Sequence, residues 1–100
     1  MVKKRKMNLQ DLISASKGTV VDVRSRGEFM GGNVAESLNI PLDEINKRIS
    51  EIKALEMPLI LVCASGGRSG MAEQFLSSQG LECYNGGSWL NVNFMQAQKV

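Results

Sequence analysis

The chain has no histidine. That absence removes Ser-His and Cys-His nucleophile pairs, an imidazole general base and any mixed Cys/His zinc site. Cysteine is scarce, with two residues, too few for a disulfide framework. Five aromatic residues, and no basic stripe beyond the first residues, argue against a nucleic-acid surface. No stretch reaches the ~18 apolar residues of a membrane span, and no apolar segment of leader type follows the basic start. The expectation is a soluble cytoplasmic protein that binds neither nucleic acid nor membrane.

What remains is ordinary globular composition: 100 residues, 43% hydrophobic and 22% charged, with a net charge of +2. This length allows one domain over residues 1–100 with one core. Four of the twelve basic residues form Lys3-Lys4-Arg5-Lys6, so residues 1–6 read as a disordered, solvated tail.

Strand and helix signals alternate along the chain. Asn8 suits the N-cap of a helix over residues 9–16, with Gly18 as its stop. Residues 19–23 (TVVDV) form a short β-branched apolar strand. SRGEFMGG (25–32) offers one helical turn, and residues 37–41 a weaker strand closed by Pro41. Leu42, Ile45, Ile49, Ile52 and Leu55 make an amphipathic stripe that predicts one helix. LILVC (59–63) is the most apolar run and the expected central strand. A helix over 68–79 follows, burying Met71, Ala72, Phe75 and Leu76 and ending at Gly80. Residues 81–84 read as a strand, 85–87 as a turn, and 88–98 as a last helix capped by Ser88. Such alternation predicts an α/β fold with a mainly parallel sheet covered by helices on both faces. Ligands then gather at the carboxyl ends of the strands, and Cys63 lies at one of them.

The segment Cys63-Ala64-Ser65-Gly66-Gly67-Arg68-Ser69 concentrates chemistry. Two glycines let the backbone turn its N–H groups inward, and the next helix adds its own free N–H groups and the positive end of its dipole. With Arg68 nearby this is an anion cradle over a sulfur. A thiol of ordinary pKa, about 8.5, is only ~3% thiolate at pH 7. A helix terminus worth up to ~2 kcal/mol makes the thiolate a large share of the population. The competing reading, a packed core cysteine beside a plain turn, accounts for none of these neighbours.

This loop resembles the C-x-x-G-x-R-S pattern of rhodanese-like sulfurtransferases. VVDVRSRGEF (20–29), LNIPL (38–42) and NGGSW (85–89) are similar to further segments of that family, in the same order. The resemblance implies a five-stranded, mostly parallel open sheet flanked by helices. It implies Cys63 as sulfur carrier, Ala64 to Ser69 as the substrate loop, and no metal or cofactor. The implied partners are a small sulfur donor (thiosulfate or a persulfide), a thiol or cyanide acceptor, and a protein in either role. Arg24 is a further candidate, as an anion guide. Asp22 and Glu28 read as scaffold, with Glu28 a possible partner for Arg24; Trp89 reads as a core anchor and Cys83 as structural. Two departures stand out: Gly32-Asn33 where the family has Gly-His, and Glu36-Ser37 where it has Gly-Ala. Two other readings remain: a partner-binding domain without catalysis, and a phosphatase or arsenate reductase. The latter places five residues between Cys and Arg; here there are four.

Overall fold

The computed structural model describes residues 8–98. The expected tail over 1–6 lies outside the described residues. Four strands form one sheet in the order β2-β1-β3-β4, and every neighbouring pair is parallel. They are β1 (Thr19–Asp22), β2 (Leu38–Asn39), β3 (Leu59–Cys63) and β4 (Cys83–Ser88). The α/β class is therefore as expected, with four strands among the described residues rather than five.

The central strand β3 is buried along its whole length. Its period of two divides it between two cores. Leu59, Leu61 and Cys63 enter a cluster with Val21, Val23, Ile45, Ile52, Ala72 and Leu76. Ile60 and Val62 enter a second cluster with Leu12, Ile13, Val34 and Val92. The first cluster is covered by α4 (Gly67–Ser78) and by α3 (Ile49–Lys53) with the short 3-10 turn before it. The second is covered by α1 (Leu9–Ser14) and α5 (Trp89–Ala97). A fifth helix, α2 (Arg26–Met30), follows β1.

Several elements differ from the sequence reading, each for a local reason. The amphipathic stripe over 42–55 is not one helix but a 3-10 turn at Leu42–Glu44 followed by α3. The stripe still packs as expected, because both helix types return a side chain to the same face after three or four residues. The first helix ends before Gly18, at Ser14, and Ser16 already takes a left-handed φ of 54°. Gly18 serves instead a close approach: a Cβ there would lie 2.2 Å from the carbonyl oxygen of Pro58. Met71 is 62% exposed, while Ala72 and Leu76 are buried as read.

The largest change is at the last strand. Residues 85–87 are not a turn but the middle of β4. Leu61 pairs with Asn85 and Val62 with Gly87, so Gly86 is the extra residue of a β-bulge. A Cβ on Gly86 would come within 3.0–3.2 Å of Val62, Val92 and Ile60, so the strand passes the core there only as glycine.

Candidate active site

Cys63 is the last residue of β3, on the face covered by α4, and only 1% of its surface is exposed. Ala64 and Ser65 continue into the exposed connection, and Gly66 turns it with a φ of 102°. That left-handed conformation costs an ordinary residue roughly 1–2 kcal/mol and glycine little. Gly67 opens α4 with regular geometry and no crowding at its Cα, so of the two glycines only Gly66 is required by the backbone.

The turn folds the helix start back over the sulfur. Gly66 N–H donates to Cys63 Sγ at 3.0 Å and Ser69 N–H at 3.4 Å. The Ser69 hydroxyl also lies 3.4 Å from Sγ, and Ser69 is buried. Burial pushes the Cys63 thiol up. Hydrogen bonds from the Ser69 hydroxyl and from the N–H groups of Ser69, Gly66 and Ser65 outweigh it and bring the pKa down to about 7.

Arg68 stands at the rim, 38% exposed at its side chain. Its fork binds Glu28 through both oxygens, at 2.8 and 3.0 Å. Glu28 also closes a capping box with Ser25 at the start of α2. Arg68 and Ser25 together lower the Glu28 carboxyl to about 2. The partner of Glu28 is therefore Arg68, not Arg24. A cavity of about 280 Å³ opens beside Arg68, lined also by Arg26, Leu42 and Glu44.

Arg24, expected as a possible anion guide, has a buried guanidinium that binds both oxygens of Asp22 and the carbonyl of Gly32, and lies 4.7 Å above the Trp89 ring. These contacts make it a clamp between β1, the α2–β2 connection and α5. Asp22 is scaffold as expected, with the Arg24 backbone N–H as a further donor. Trp89 packs against the second core cluster, as an anchor should.

Asn85 was not singled out by its sequence context. The bulge at Gly86 turns it toward the loop, where it bonds the Ser69 hydroxyl and the Gly66 carbonyl. Cys83 is near α4 but far along it. Its thiol contacts the Ser77 hydroxyl and the carbonyls of Leu81 and Glu73.

The geometry thus joins a buried cysteine, two N–H groups aimed at its sulfur and a rim of paired arginine and glutamate on a parallel α/β sheet. The family model described as Rhodanese-like domain matches residues 6–91. This chain belongs to the rhodanese-like domain family. YqhL, an uncharacterized protein of Bacillus subtilis, is 40% identical over 70 residues, covering 69% of this chain and 55% of the relative. A protein of Allochromatium vinosum named sulfurtransferase is 32% identical over 71 residues, 71% of this chain and 65% of its own. The rhodanese-like chain thus spans between half and two thirds of the length of these two curated relatives. A human single-domain sulfurtransferase has a similar structure, with a TM-score of 0.65 at 27% identity, covering 82% of this chain and 88% of that one.

Proposed function

We propose that this rhodanese-like domain is a sulfurtransferase that carries sulfane sulfur on Cys63. The observation that carries the reading is the donor set on Sγ: two backbone N–H groups within 3.4 Å, which favour the thiolate. The thiolate attacks the outer sulfur of a donor such as thiosulfate. The sulfur–sulfur bond of the donor breaks, sulfite leaves with the bonding pair, and Cys63 becomes a persulfide. A thiophilic acceptor, cyanide or a thiolate, then takes the outer sulfur and the Cys63 thiolate returns. With cyanide no proton or external electron is consumed, so a chain without histidine is competent. The N–H groups that stabilise the thiolate also suit the anionic persulfide.

A persulfide donor fits the rim at least as well as thiosulfate. Arg68 is neutralised by Glu28, so a dianion meets amides and a guanidinium already engaged. A protein donor or acceptor would meet the same rim. A compartment where thiols stay reduced, such as the cytoplasm, suits this chemistry.

The test is intact mass after brief exposure to thiosulfate. Wild type should gain one sulfur atom that cyanide removes as thiocyanate, and Cys63→Ser should gain none. Retention of sulfur transfer by Cys63→Ser would overturn the assignment. Hydrolysis of aryl phosphates lost in Cys63→Ser would replace it with phosphatase chemistry.

A further inference from the structure

We propose that Asn85 is a positioning residue for Cys63, holding in place the two residues that donate to its sulfur. The inference rests on Cys63 as the reactive thiol. Asn85 reaches across from the bulge of β4 with both ends of its amide. Its Oδ1 accepts from the Ser69 hydroxyl at 2.6 Å and from the Gly87 N–H at 2.9 Å. Its Nδ2 donates to the Gly66 carbonyl at 3.2 Å. The Gly87 contact fixes which way round the amide lies, because the flipped amide would set an NH2 against an N–H.

Gly66 and Ser69 are the residues whose N–H groups point at Sγ. Gly66 is a left-handed glycine, the freest backbone in the loop, and rotation about it would swing its N–H off the sulfur. Its carbonyl is held by the Gly70 N–H and by Asn85 Nδ2; the Ser69 hydroxyl has one proton, for which Asn85 Oδ1 at 2.6 Å competes with the sulfur at 3.4 Å. The Gly70 contact belongs to α4 itself. Asn85 is the tie from outside, and it joins the helix start to a strand fixed in the core through Gly86. Asn85 touches no reacting atom; it acts through Gly66 and Ser69.

The charged and titratable groups around the sulfur are few. Helix α4 brings Arg68, bound to Glu28 of α2, and Glu73 further along; β1 ends in Asp22, bound to Arg24. β4 carries Cys83 and Tyr84 at its opposite end, and α5 carries no charge. Among the described residues the Asn85 side chain bonds Ser69, Gly66 and Gly87, none of them charged, so replacement by alanine leaves the charges in place.

The experiment is the pH profile of Cys63 alkylation by iodoacetamide, read by site-resolved mass spectrometry on the intact folded chain. Wild type should have its midpoint near 7. Asn85→Ala loosens Gly66 and should move it up, by less than about half a pH unit, because the Ser69 proton it releases can turn to the sulfur and works against the rise. Asn85→Asp keeps the shape and the acceptor, loses the donor to Gly66 and adds a negative charge; its midpoint should rise further. In a Ser69→Ala background that opposing donor is gone, and Asn85→Ala should raise the midpoint by about half a pH unit. A residue that served stability alone would leave every midpoint where it was. If wild type titrates near 7 and Asn85→Ala leaves the midpoint unmoved or lower in the Ser69→Ala background, the proposal is overturned while sulfur transfer stands. Should wild type itself titrate as an ordinary thiol, the reactive-thiol reading falls, and the role of Asn85 with it.

Discussion

The two cysteines sit at opposite ends of one helix. Cys63, ending β3, lies under the first turn of α4, where backbone N–H groups have no helical partner and point at its sulfur. Cys83, starting β4, lies beside the second half of α4, where it meets the carbonyls of Glu73 and Leu81. Burial raises both thiols and is the largest cause at each. At Cys63 the hydrogen bonds from the helix start outweigh it and bring the thiol to about 7. At Cys83 the Ser77 hydroxyl alone works against burial, and the Glu73 and Glu82 carboxylates add to the rise. The two ends differ in the donors they offer a buried sulfur.

The sharpest way to break this comparison is to exchange the cysteines' fates. Cys63→Ser should abolish persulfide formation and turnover, because a hydroxyl cannot carry sulfane sulfur. Cys83→Ala should keep most of the turnover, with a packing loss of about 1 kcal/mol by denaturant unfolding. Collapse of activity in a folded Cys83→Ala protein would show that both ends of the helix are chemical.

Next in size is the turn that aims the donors. Gly66→Ala has room for its methyl, 3.5 Å from the Gly87 Cα, but not the backbone conformation. The chain must either bear the strain, about 1–2 kcal/mol, or rotate the N–H off the sulfur. Sulfur transfer should fall on the order of a hundredfold, as when one preorganised donor is lost. Steady-state kinetics at saturating donor separates this from a binding defect.

The pH dependence distinguishes the ends without mutation. Site-resolved alkylation of Cys63 should reach half its maximal rate near pH 7, and that of Cys83 only above the ordinary thiol range. Linkage gives the matching sign in stability. The folded pKa of Cys63 lies below the unfolded value of ~8.5, so its contribution is present above that value and lost as pH falls through about 7. Cys63→Ser should remove this slope, measurable by urea unfolding on either side of the window.

A smaller effect is expected at the rim. Glu28→Gln should leave Arg68 free for anions and lower the KM for thiosulfate several-fold, with kcat little changed. Arg68→Ala should raise that KM, and Arg68→Lys should recover only part of the loss, since a point charge does not reproduce a planar fork. Equal KM values across the three variants would remove the rim from donor binding.

Much of this was legible in the sequence because it depends on neighbours in the chain. The run LILVC places Cys63 at a strand end, and Gly66 to Ser69 make the turn and the helix start. The partners of the loop were not legible. Arg68 meets Glu28 forty residues away, and Asn85 reaches Ser69 only because the sheet sets β4 beside β3. Asn-Gly-Gly reads locally as a turn. The bulge that makes it a strand is imposed by Val62, Val92 and Ile60 closing around Gly86. Arg24 reads as a possible anion guide for the same reason, its anchors Gly32 and Trp89 being brought to it by the fold.

The finest test lies far from the sulfur, at a departure the sequence itself displays. Glu36 stands where the family has glycine, and it holds a left-handed φ of 66°. That conformation explains the family's choice, since glycine adopts it without the Cβ clash that Glu36 bears. Asn33, at the customary histidine, costs no such strain: its Nδ2 bonds the Phe29 carbonyl at 2.9 Å and closes the end of α2. Glu36→Gly should therefore stabilise the fold by about 0.5–1 kcal/mol, the relieved strain being partly offset by the greater freedom of glycine when unfolded. Glu36 lines the cavity at the amino ends of the strands with Ile13, Lys17 and Thr19, on the side away from Cys63. The alkylation midpoint of Cys63 should accordingly stay near 7 in this variant. A gain in stability without a change in the thiol would separate the scaffold of the sheet from the chemistry at its carboxyl end; a shifted midpoint would show that the two ends are coupled.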